Sequence, residues 1–363
     1  MKLNTVLTAS LLLAGVVSSV NAADIEVRLT GSTAFRLQVY NSLVAIGLTP
    51  GAGFTSGMNH FNFTGTLSSK SVNVLCSWSG SVEGIRDLTL NNDVAFTNGV
   101  SSGSATLDKA NYAFSDAFQS STIYTTPTLV GVQAVSGKPG IAVQPFTWAA
   151  NQNAWSVGVS NVTSKITDGL LANGIWPLSF WTGKASDVNT LVNVSGRNSL
   201  SGTRVITLAE TGYGIFANVQ QRRVVANVWT DFAFNDGHGS GSSVRTDLNN
   251  TVSGEPGIGY MGLGDASSLG VTTGKAIAWN GVNLGKGPAA GDFDLDKVKN
   301  GTYTFWGYEH MYRKSTLSGD IVTIFQPAFV SAMQTQLSTS TTAIKIADMQ
   351  VFRNEDGGPI QPN

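Results

Sequence analysis

Two segments near the start of the chain share one pattern: a short apolar strand, a loop of glycine and hydroxyl residues, and a helix. In the first segment, residues 24–29 alternate between apolar and polar side chains, and residues 34–46 have helical spacing. In the second segment, an apolar strand at residues 72–75 precedes helical spacing at residues 82–90. This order is typical of α/β proteins with mainly parallel sheets, in which ligands bind beyond the carboxyl ends of the strands.

Weaker patterns of the same kind continue along the rest of the chain. Further strands are predicted at residues 94–96, 112–114, 129–134, 140–143, 205–208 and 302–311. A Ser-Gly-Lys-Pro turn after residue 135 suggests that the chain leaves a first lobe there, and a predicted helix at residues 321–337 could pack back on it. Because 363 residues are many for one core, we expect two lobes.

The N-terminus has the features of a secretory signal peptide. Lys2 is the only charge before Asp24, and a short apolar run at residues 6–17 precedes Val20-Asn21-Ala22. We expect cleavage after Ala22, although a buried N-terminal helix is the alternative. The apolar run is too short to span a membrane. Cys76 is the only cysteine, which supports neither a disulfide framework nor a lipid anchor. The sequence therefore predicts a periplasmic or secreted protein without stable membrane insertion.

Charge and motif content exclude several classes of function. Charged residues make up 12% of the chain and the formal net charge is −1, which disfavours nucleic-acid binding. Gly257, Gly259 and Gly262 have the spacing of a dinucleotide-binding loop, but a Glu-Pro pair precedes them instead of a strand. Residues 292–296 begin like a calcium loop without its turn glycine. The histidines are isolated in sequence, and no nucleophile elbow occurs. We expect no cofactor, no metal and no catalytic residue.

Three loops rich in hydroxyl groups and small residues remain as candidates for an anion site. They lie at residues 30–35, 77–81 and 197–203, and the first two precede predicted helices. Helix N-termini carry unpaired N–H groups and the positive end of the helix dipole, and Arg197 in the third loop adds a fork of donors. Each loop alone could simply cap a helix. Asp116 lies between the second and third loops and would repel an anion unless that anion carries a proton to donate.

The order and spacing of these loops resemble the phosphate-binding proteins that serve bacterial ABC transporters. The matching stretches are residues 29–35, 79–81 with 84–86, 114–117, Arg197 with 201–203, and 257–260. The matching stretches are short and are spread from about residue 25 to about residue 329. It implies a periplasmic-binding-protein-like fold: two α/β lobes, each a mainly parallel sheet flanked by helices, with a hinge and a central cleft. We therefore expect a signal peptide at residues 1–22, a first lobe at residues 23–130 and a second lobe at residues 131–254. Residues 255–363 would return to the first lobe and end in a C-terminal tail.

The same resemblance implies which residues hold the phosphate. Carried over position by position, they are Thr33, Ala34, Phe35, Ser81, Ser115, Asp116, Arg197, Ser201, Gly202 and Thr203. Two departures affect this set. Ala34 stands where the family usually has a threonine, so that Thr33 would have to supply the hydroxyl. Ser199 stands where the family often has an acidic residue that orients the arginine, which leaves Arg197 less restrained.

Four hypotheses about function follow from these observations. The leading hypothesis is an exported solute-binding protein that captures inorganic phosphate between two lobes and delivers it to an ABC transporter permease. The alternatives are a secreted surface or interaction protein on the same fold, and a protein that binds another oxyanion. An esterase or phosphatase is the weakest hypothesis, because the sequence shows no nucleophile-base pair and no metal cluster.

Overall fold

The computed structural model describes residues 22–99, 105–250, 252–286 and 291–363. The expected leader, residues 1–22, lies outside these ranges except for Ala22. Within the described residues, no helix is both long enough and apolar enough to cross a membrane.

Strands and short helices alternate along the chain. The strands are β1 (Ile25–Gly31), β2 (Thr49–Pro50), β3 (His60–Leu67), β4 (Lys70–Ser77), β5 (Asp93–Thr97), β6 (Ala105–Lys109), β7 (Tyr112–Ser115), β8 (Val130–Val132), β9 (Ala142–Asn151), β10 (Asn161–Val162), β11 (Ile175–Pro177), β12 (Leu191–Ser195), β13 (Arg222–Val225), β14 (Val228–Asp231), β15 (Gly257–Gly262), β16 (Gly274–Trp279), β17 (Trp306–Arg313), β18 (Val351–Phe352) and β19 (Gln361–Pro362). The α-helices are α1 (Arg36–Ala45), α2 (Ser81–Leu90), α3 (Gln152–Ser156), α4 (Ser164–Asn173), α5 (Ser179–Thr182), α6 (Gly202–Thr211), α7 (Gly241–Asn249), α8 (Leu263–Ala266), α9 (Asp296–Lys299) and α10 (Gln326–Leu337).

One large sheet runs through the molecule in the order β11-β12-β15-β9-β17-β7-β1-β4-β3-β2. We call the strands on the β7 side of β17 the first lobe and those on the β15 side of β9 the second lobe. Strands β9 and β17 pair with each other at their first residues, and their later residues pair with β15 and β7 respectively. Both strands therefore cross from one lobe to the other, as the strands of a hinge do.

The structure confirms the predicted two-lobed α/β fold. Pairing is parallel between β1 and its neighbours β4 and β7 in the first lobe, and between β12 and β15 in the second. The hairpins and the two crossing strands pair antiparallel. Because parallel neighbours end at the same edge of a sheet, the loops after β4, β1 and β7 lie side by side, as do those after β12 and β15.

Each lobe has its own hydrophobic core. In the first lobe, Val27 and Leu29 of β1 belong to one buried cluster with Val39 of α1 and Phe329 of α10. In the second lobe, Trp148 and Tyr260 lie edge to face with ring centroids 5.4 Å apart. Burial of such side chains stabilises by about 1.5–3 kcal/mol each, so each lobe has an independent source of stability.

The strand predicted at residues 205–208 is wrong, because these residues lie within helix α6. Ser201 caps this helix by accepting a hydrogen bond from the Arg204 N–H, and Gly212 ends it in the left-handed conformation. Val205 and Leu208 are three residues apart and face the core from one side of the helix. A four-residue apolar run cannot by itself distinguish a strand from a buried helix.

Other predicted elements are present with shifted ends. Residues 72–75, 94–96 and 112–114 lie within β4, β5 and β7, whereas the strand predicted at 302–311 begins at Trp306. Strand β15 contains the three glycines with dinucleotide spacing and pairs with β9 and β12. A Cβ on Gly257 would lie 2.3 Å from the Trp229 ring, so a glycine at this position allows close packing within the second lobe.

The expected return to the first lobe at residue 255 differs from the pairing of the strands. Strands β15 and β16, which follow this residue, pair with strands of the second lobe. The chain pairs again with the first lobe only at β17, where His310 lies opposite Ser115. We propose that the return segment starts with β17 rather than at residue 255.

Candidate anion-binding site

The site is formed where the carboxyl ends of the two sheets face each other. On the first lobe, the N–H of Gly80 donates to the carbonyl of Gly31, and the N–H of Ser32 donates to the carbonyl of Phe114, both at 2.9 Å. These bonds join the loops that follow β4, β1 and β7. On the second lobe, the loop after β12 carries Arg197 and leads into α6.

Helices α2 and α6 approach each other end to end across the two lobes. The N–H groups of Val82 and Glu83 in α2 donate to the carbonyl of Leu200, which directly precedes the cap of α6, at 3.0 and 3.3 Å. A Cβ on Gly202 would lie 2.6 Å from the Ser81 Cβ and 3.1 Å from the Asp116 Cβ. Only glycine therefore permits this approach, which places two positive helix ends beside Asp116.

Arg197 is 2% exposed, and both lobes supply its hydrogen-bond partners. Its Nε donates to the carbonyl of His238 at 3.1 Å, and its Nη2 donates to the carbonyl of Gly239 at 2.9 Å. Nη2 also donates to the Thr33 hydroxyl of the first lobe at 3.2 Å. Two backbone carbonyls thus restrain the guanidinium, although Ser199 was expected to leave it less restrained.

The loop that holds Arg197 is itself fixed by a buried polar pair. His238 Nε2 lies 2.6 Å from a carboxylate oxygen of Asp247, which also accepts a hydrogen bond from the Ser195 hydroxyl. The N–H of Arg197 donates to the Tyr260 hydroxyl at 3.1 Å. His238 therefore has a supporting role in this loop.

The Arg197 guanidinium forms no ion pair with a carboxylate in the described part of the chain. Burial lowers the pKa of Arg197, while the charges of Asp265 and Asp116 oppose this shift. An arginine remains charged even when buried, so this cation lacks a direct counter-charge at contact distance. A bound anion would supply one.

Asp116 joins the two lobes from the other side of the cluster. One carboxylate oxygen accepts a hydrogen bond from the Ser32 hydroxyl, and the other accepts from the Thr203 hydroxyl of α6 at 3.2 Å. The backbone N–H of Asp116 donates to the Ser81 hydroxyl at 3.2 Å. Asp116 is 1% exposed, and its carboxylate acts only as an acceptor in these bonds, the role that the sequence predicts for it.

The structure brings most of the expected site residues together. Thr33, Ser81, Asp116, Arg197, Gly202 and Thr203 form one buried interlobe cluster. Ala34 and Phe35 directly precede α1, and the Phe35 ring packs on Phe114 in the first core, so that Phe35 could offer only its backbone to the site.

Two expected hydroxyls are used locally instead. Ser115 donates to the carbonyl of Ala117 at 2.8 Å and accepts from the N–H of the same residue, which closes a turn. Ser201 caps α6. Both residues therefore shape the site without directing a free hydroxyl into it.

Sequence reasoning missed two side chains in the cluster. The Ser32 hydroxyl donates to Asp116, and its place within the first hydroxyl-rich loop was the available signal. Glu309 of β17 is fully buried beside Asp116 and Ser32, and a single acidic residue within an aromatic strand was the signal for it.

A cavity of about 170 Å³ opens next to the cluster and is lined by residues of both lobes. Its charged residues are Arg36, Arg245 and Asp265, and Thr33 and Ala34 form the wall nearest the site. Burial raises the pKa of Asp265, whereas Arg36 and Arg197 oppose that rise. With two arginines and one carboxylate, this opening favours the approach of anions.

Comparison with known proteins relates the fold to solute-binding proteins. No protein-family model and no curated protein matches the chain. A solved structure from Clostridium perfringens, described as a phosphate ABC transporter substrate-binding protein with bound phosphate, is similar with a TM-score of 0.51 and 16% identity, covering 88% of this chain and 99% of that chain. An ABC-type phosphate transport receptor from Vibrio cholerae is similar with a TM-score of 0.48 and 15% identity, covering 88% and 99%. The first of these likenesses shows the fold, and it agrees with the fold that the sequence resemblance implies.

Proposed function

We propose that this protein binds inorganic phosphate between its two lobes. The observation that carries the proposal is the meeting of two helix N-termini, from different lobes, beside a buried arginine that has no carboxylate partner among the described residues. Helix N-termini and a guanidinium are positively polarised donors, and together they form a site for an oxyanion once their present acceptors move away.

Different residues of the cluster would contact different atoms of the phosphate. Arg197 would donate to two oxygens as a fork, and the hydroxyls of Ser81 and Thr203 would donate to others. The N–H groups before α1, at Ala34 and Phe35, and those at Gly202 and Thr203 would complete the donor set. Asp116 would accept the proton that phosphate retains near neutral pH.

Binding would replace bonds that now join the lobes directly. Arg197 contacts Thr33, and Thr203 contacts Asp116, so the same groups that would hold the anion hold the lobes together here. Phosphate would enter after these contacts open and would take their place as the lobes close, which is the hinge motion of two-lobed binding proteins.

We further propose that the protein acts outside the cytoplasm, in the periplasm or as a secreted protein, and delivers phosphate to an ABC transporter permease. The leader-like sequence up to Ala22 supports export. The phosphate transport roles that are named for the two similar structures support the transporter partner.

Calorimetric titration of the chain from residue 23 onward with phosphate, arsenate and sulfate tests this function. We expect saturable binding of phosphate and a much weaker response to sulfate. Arg86→Ala, which removes an ion pair on α2 to Glu83 and Asp87, is a matched control and should bind like the unaltered protein. No heat of binding with any of the three anions would refute the proposal.

A second candidate, an interaction protein on the same fold, has one observation in its favour. Hydrogen bonds within and between the lobes already engage the Asp116 carboxylate and the Arg197 guanidinium without a ligand. If these hydrogen bonds served only to hold the two lobes together, the lobes would stay closed in solution and phosphate would not bind.

A further inference from the structure

Glu309 is a buried carboxylic side chain next to the cluster. It lies on the crossing strand β17, is 0% exposed, and stands beside the Asp116 carboxylate and the Ser32 hydroxyl. Neither of its carboxyl oxygens has a partner among the described residues. Ser32 cannot serve both carboxylates at once, because it has one proton and donates it to Asp116.

Among the described residues, no positive charge is found to act on Glu309. The neighbouring strands β7, β8 and β9 contain no lysine, arginine, histidine or carboxylate. The titratable groups that interact electrostatically with Glu309 are Asp116, after β7, and Tyr312, three residues further along its own strand and on the opposite face. The adjacent His310 is also buried, which lowers its pKa to about 3 and keeps it neutral.

An ionised Glu309 would be a buried carboxylate with no donor and a like charge beside it. Such a group is strongly disfavoured, and protonation removes the conflict. Burial raises the pKa of Glu309 well above its usual range, and the neighbouring Asp116 raises it further. A protonated Glu309 also gains the O–H that could donate to Asp116, which two ionised carboxylates cannot provide for each other.

We propose, building on phosphate as the ligand, that Glu309 is a positioning residue that shares one proton with Asp116 and makes anion binding depend on pH. While the pair holds this proton, Glu309 is neutral and its O–H holds Asp116 in place as the ionised acceptor for the phosphate proton. When the proton leaves to solvent, two negative charges face the bound anion and the anion is released.

The proton and the anion must then bind cooperatively. A bound anion stabilises the neutral form of Glu309, so phosphate binding takes up a proton at pH values where free Glu309 is ionised. Once free Glu309 has lost its proton, the affinity for phosphate falls by about tenfold for each further pH unit, in addition to the effect of phosphate's own ionisation.

Calorimetry with inorganic phosphate between about pH 6 and about pH 9, in buffers of different ionisation enthalpy, measures both the affinity and the proton uptake. In the unaltered protein we expect the additional decline of phosphate affinity with pH and the uptake of a proton. We expect neither in Glu309→Gln, because its amide stays neutral and can still donate a hydrogen bond. Equal pH profiles in the two proteins would overturn the proposal.

Glu210→Gln is the matched control for this substitution. Glu210 is also a buried glutamate with a pKa raised by burial, but it pairs with Arg353 and Thr304 away from the cluster. Its variant should keep the pH profile of the unaltered protein. A profile altered equally by Glu210→Gln would mean that general changes in stability, and not Glu309, cause the effect, which would also overturn the proposal.

Infrared spectroscopy separates this inference from the proposed function. A protonated buried carboxyl gives its own C=O band near neutral pH, and we expect that band to decrease in Glu309→Gln. If phosphate does not bind at all, the function fails, while loss of this band would still support a protonated Glu309. An unchanged spectrum would overturn the shared proton whether or not phosphate binds.

Discussion

At the scale of single residues, the account depends on side chains that are buried without the partner their charge requires. Among the described residues, Arg197 has carbonyl and hydroxyl partners but no carboxylate partner, and neither carboxyl oxygen of Glu309 has a hydrogen-bond partner. Buried groups of this kind are disfavoured in a protein that has no further ligand. Their clustering at one point between the lobes therefore marks the site more clearly than any single motif.

Arg197→Ala should lose most of the affinity for phosphate. A hydrogen bond to a charged group contributes roughly 1.5–3 kcal/mol, so the loss of one alone predicts a decrease of about tenfold or more. Arg197→Lys should recover only part, because an ammonium cannot form the fork. Calorimetry on both variants checks this, and unchanged affinities would remove Arg197 from the site.

Asp116→Asn should weaken the preference for phosphate over sulfate. Phosphate near neutral pH can donate a proton to Asp116, whereas fully ionised sulfate cannot and meets a like charge in a buried site. The amide of asparagine removes that repulsion and supplies a donor, so measurable sulfate binding is expected in the variant. If a folded Asp116→Asn protein shows the same ratio of affinities as the unaltered protein, Asp116 does not determine selectivity.

Glu309 should also affect how stability varies with pH. Its pKa is raised in the folded protein, so its favourable contribution is complete below the unfolded value of about 4.5 and is lost as the pH rises through the folded pKa. Glu309→Gln should therefore unfold a few degrees higher than the unaltered protein at alkaline pH and show a smaller difference in acid. Thermal melts across the pH range measure this, and parallel curves would contradict it.

At the scale of elements, the ends of helices and strands determine the position of the site. Strands β4, β1 and β7 end together, and α2 and α6 begin against each other across the lobes. The sequence predicted the strands and loops of the first lobe, because alternation and hydroxyl-rich turns are local signals. It failed at residues 205–208, where the cap at Ser201 and the stop at Gly212 define a helix that a short apolar run does not reveal.

The position of Glu309 could not have been predicted from local pattern. Its neighbours on β17 are mainly aromatic, and its contact with Asp116 exists only because β17 pairs with β7 in the folded chain. Likewise, the carbonyls that restrain Arg197 come from a loop 41 and 42 residues further along the chain. Contacts made through tertiary pairing leave no periodic signal in the sequence.

Gly202→Ala tests the approach of the two helix ends. The new methyl group would lie 2.6 Å from the Ser81 Cβ, too close for any side-chain rotation to relieve, so the lobes could not close fully. Alanine suits a helix better than glycine, and the second lobe should stay folded. We expect phosphate affinity to fall by about tenfold or more, the scale of a lost charge-assisted contact.

Gly264→Ala is the control for this substitution. Gly264 lies in α8, and the nearest atom to its added Cβ would be the carbonyl oxygen of Ala34 at 4.0 Å, which is ordinary contact. Calorimetry and circular dichroism on both variants give the comparison. Equal phosphate affinity in the two would show that closure of α2 onto α6 is not needed for binding.

At the scale of the whole molecule, two crossing strands join the lobes. Strands β9 and β17 carry the sheet from one lobe to the other, and hydrogen bonds from Arg197 to Thr33 and from Thr203 to Asp116 connect the lobes across the site. Val82 and Ala117 of the first lobe also pack in the core cluster of the second, so opening about the strands would separate apolar as well as polar contacts. The molecule can therefore couple anion binding to a change of shape.

Small-angle scattering should detect that change. Without phosphate, the lobes are expected to open at least part of the time, and saturating phosphate should give a smaller radius of gyration. Arg197→Ala should show little compaction under the same conditions. Equal radii with and without phosphate, in a protein that binds it, would place the anion outside a cleft formed by both lobes.

The most direct test of the account is a crystal structure of the protein grown with inorganic phosphate. The account predicts one phosphate between the lobes, within hydrogen-bond distance of the Arg197 guanidinium, the Asp116 carboxylate and the N-termini of α2 and α6. A phosphate bound elsewhere, or none in a crystal grown at saturating concentration with the lobes in direct contact, would contradict it.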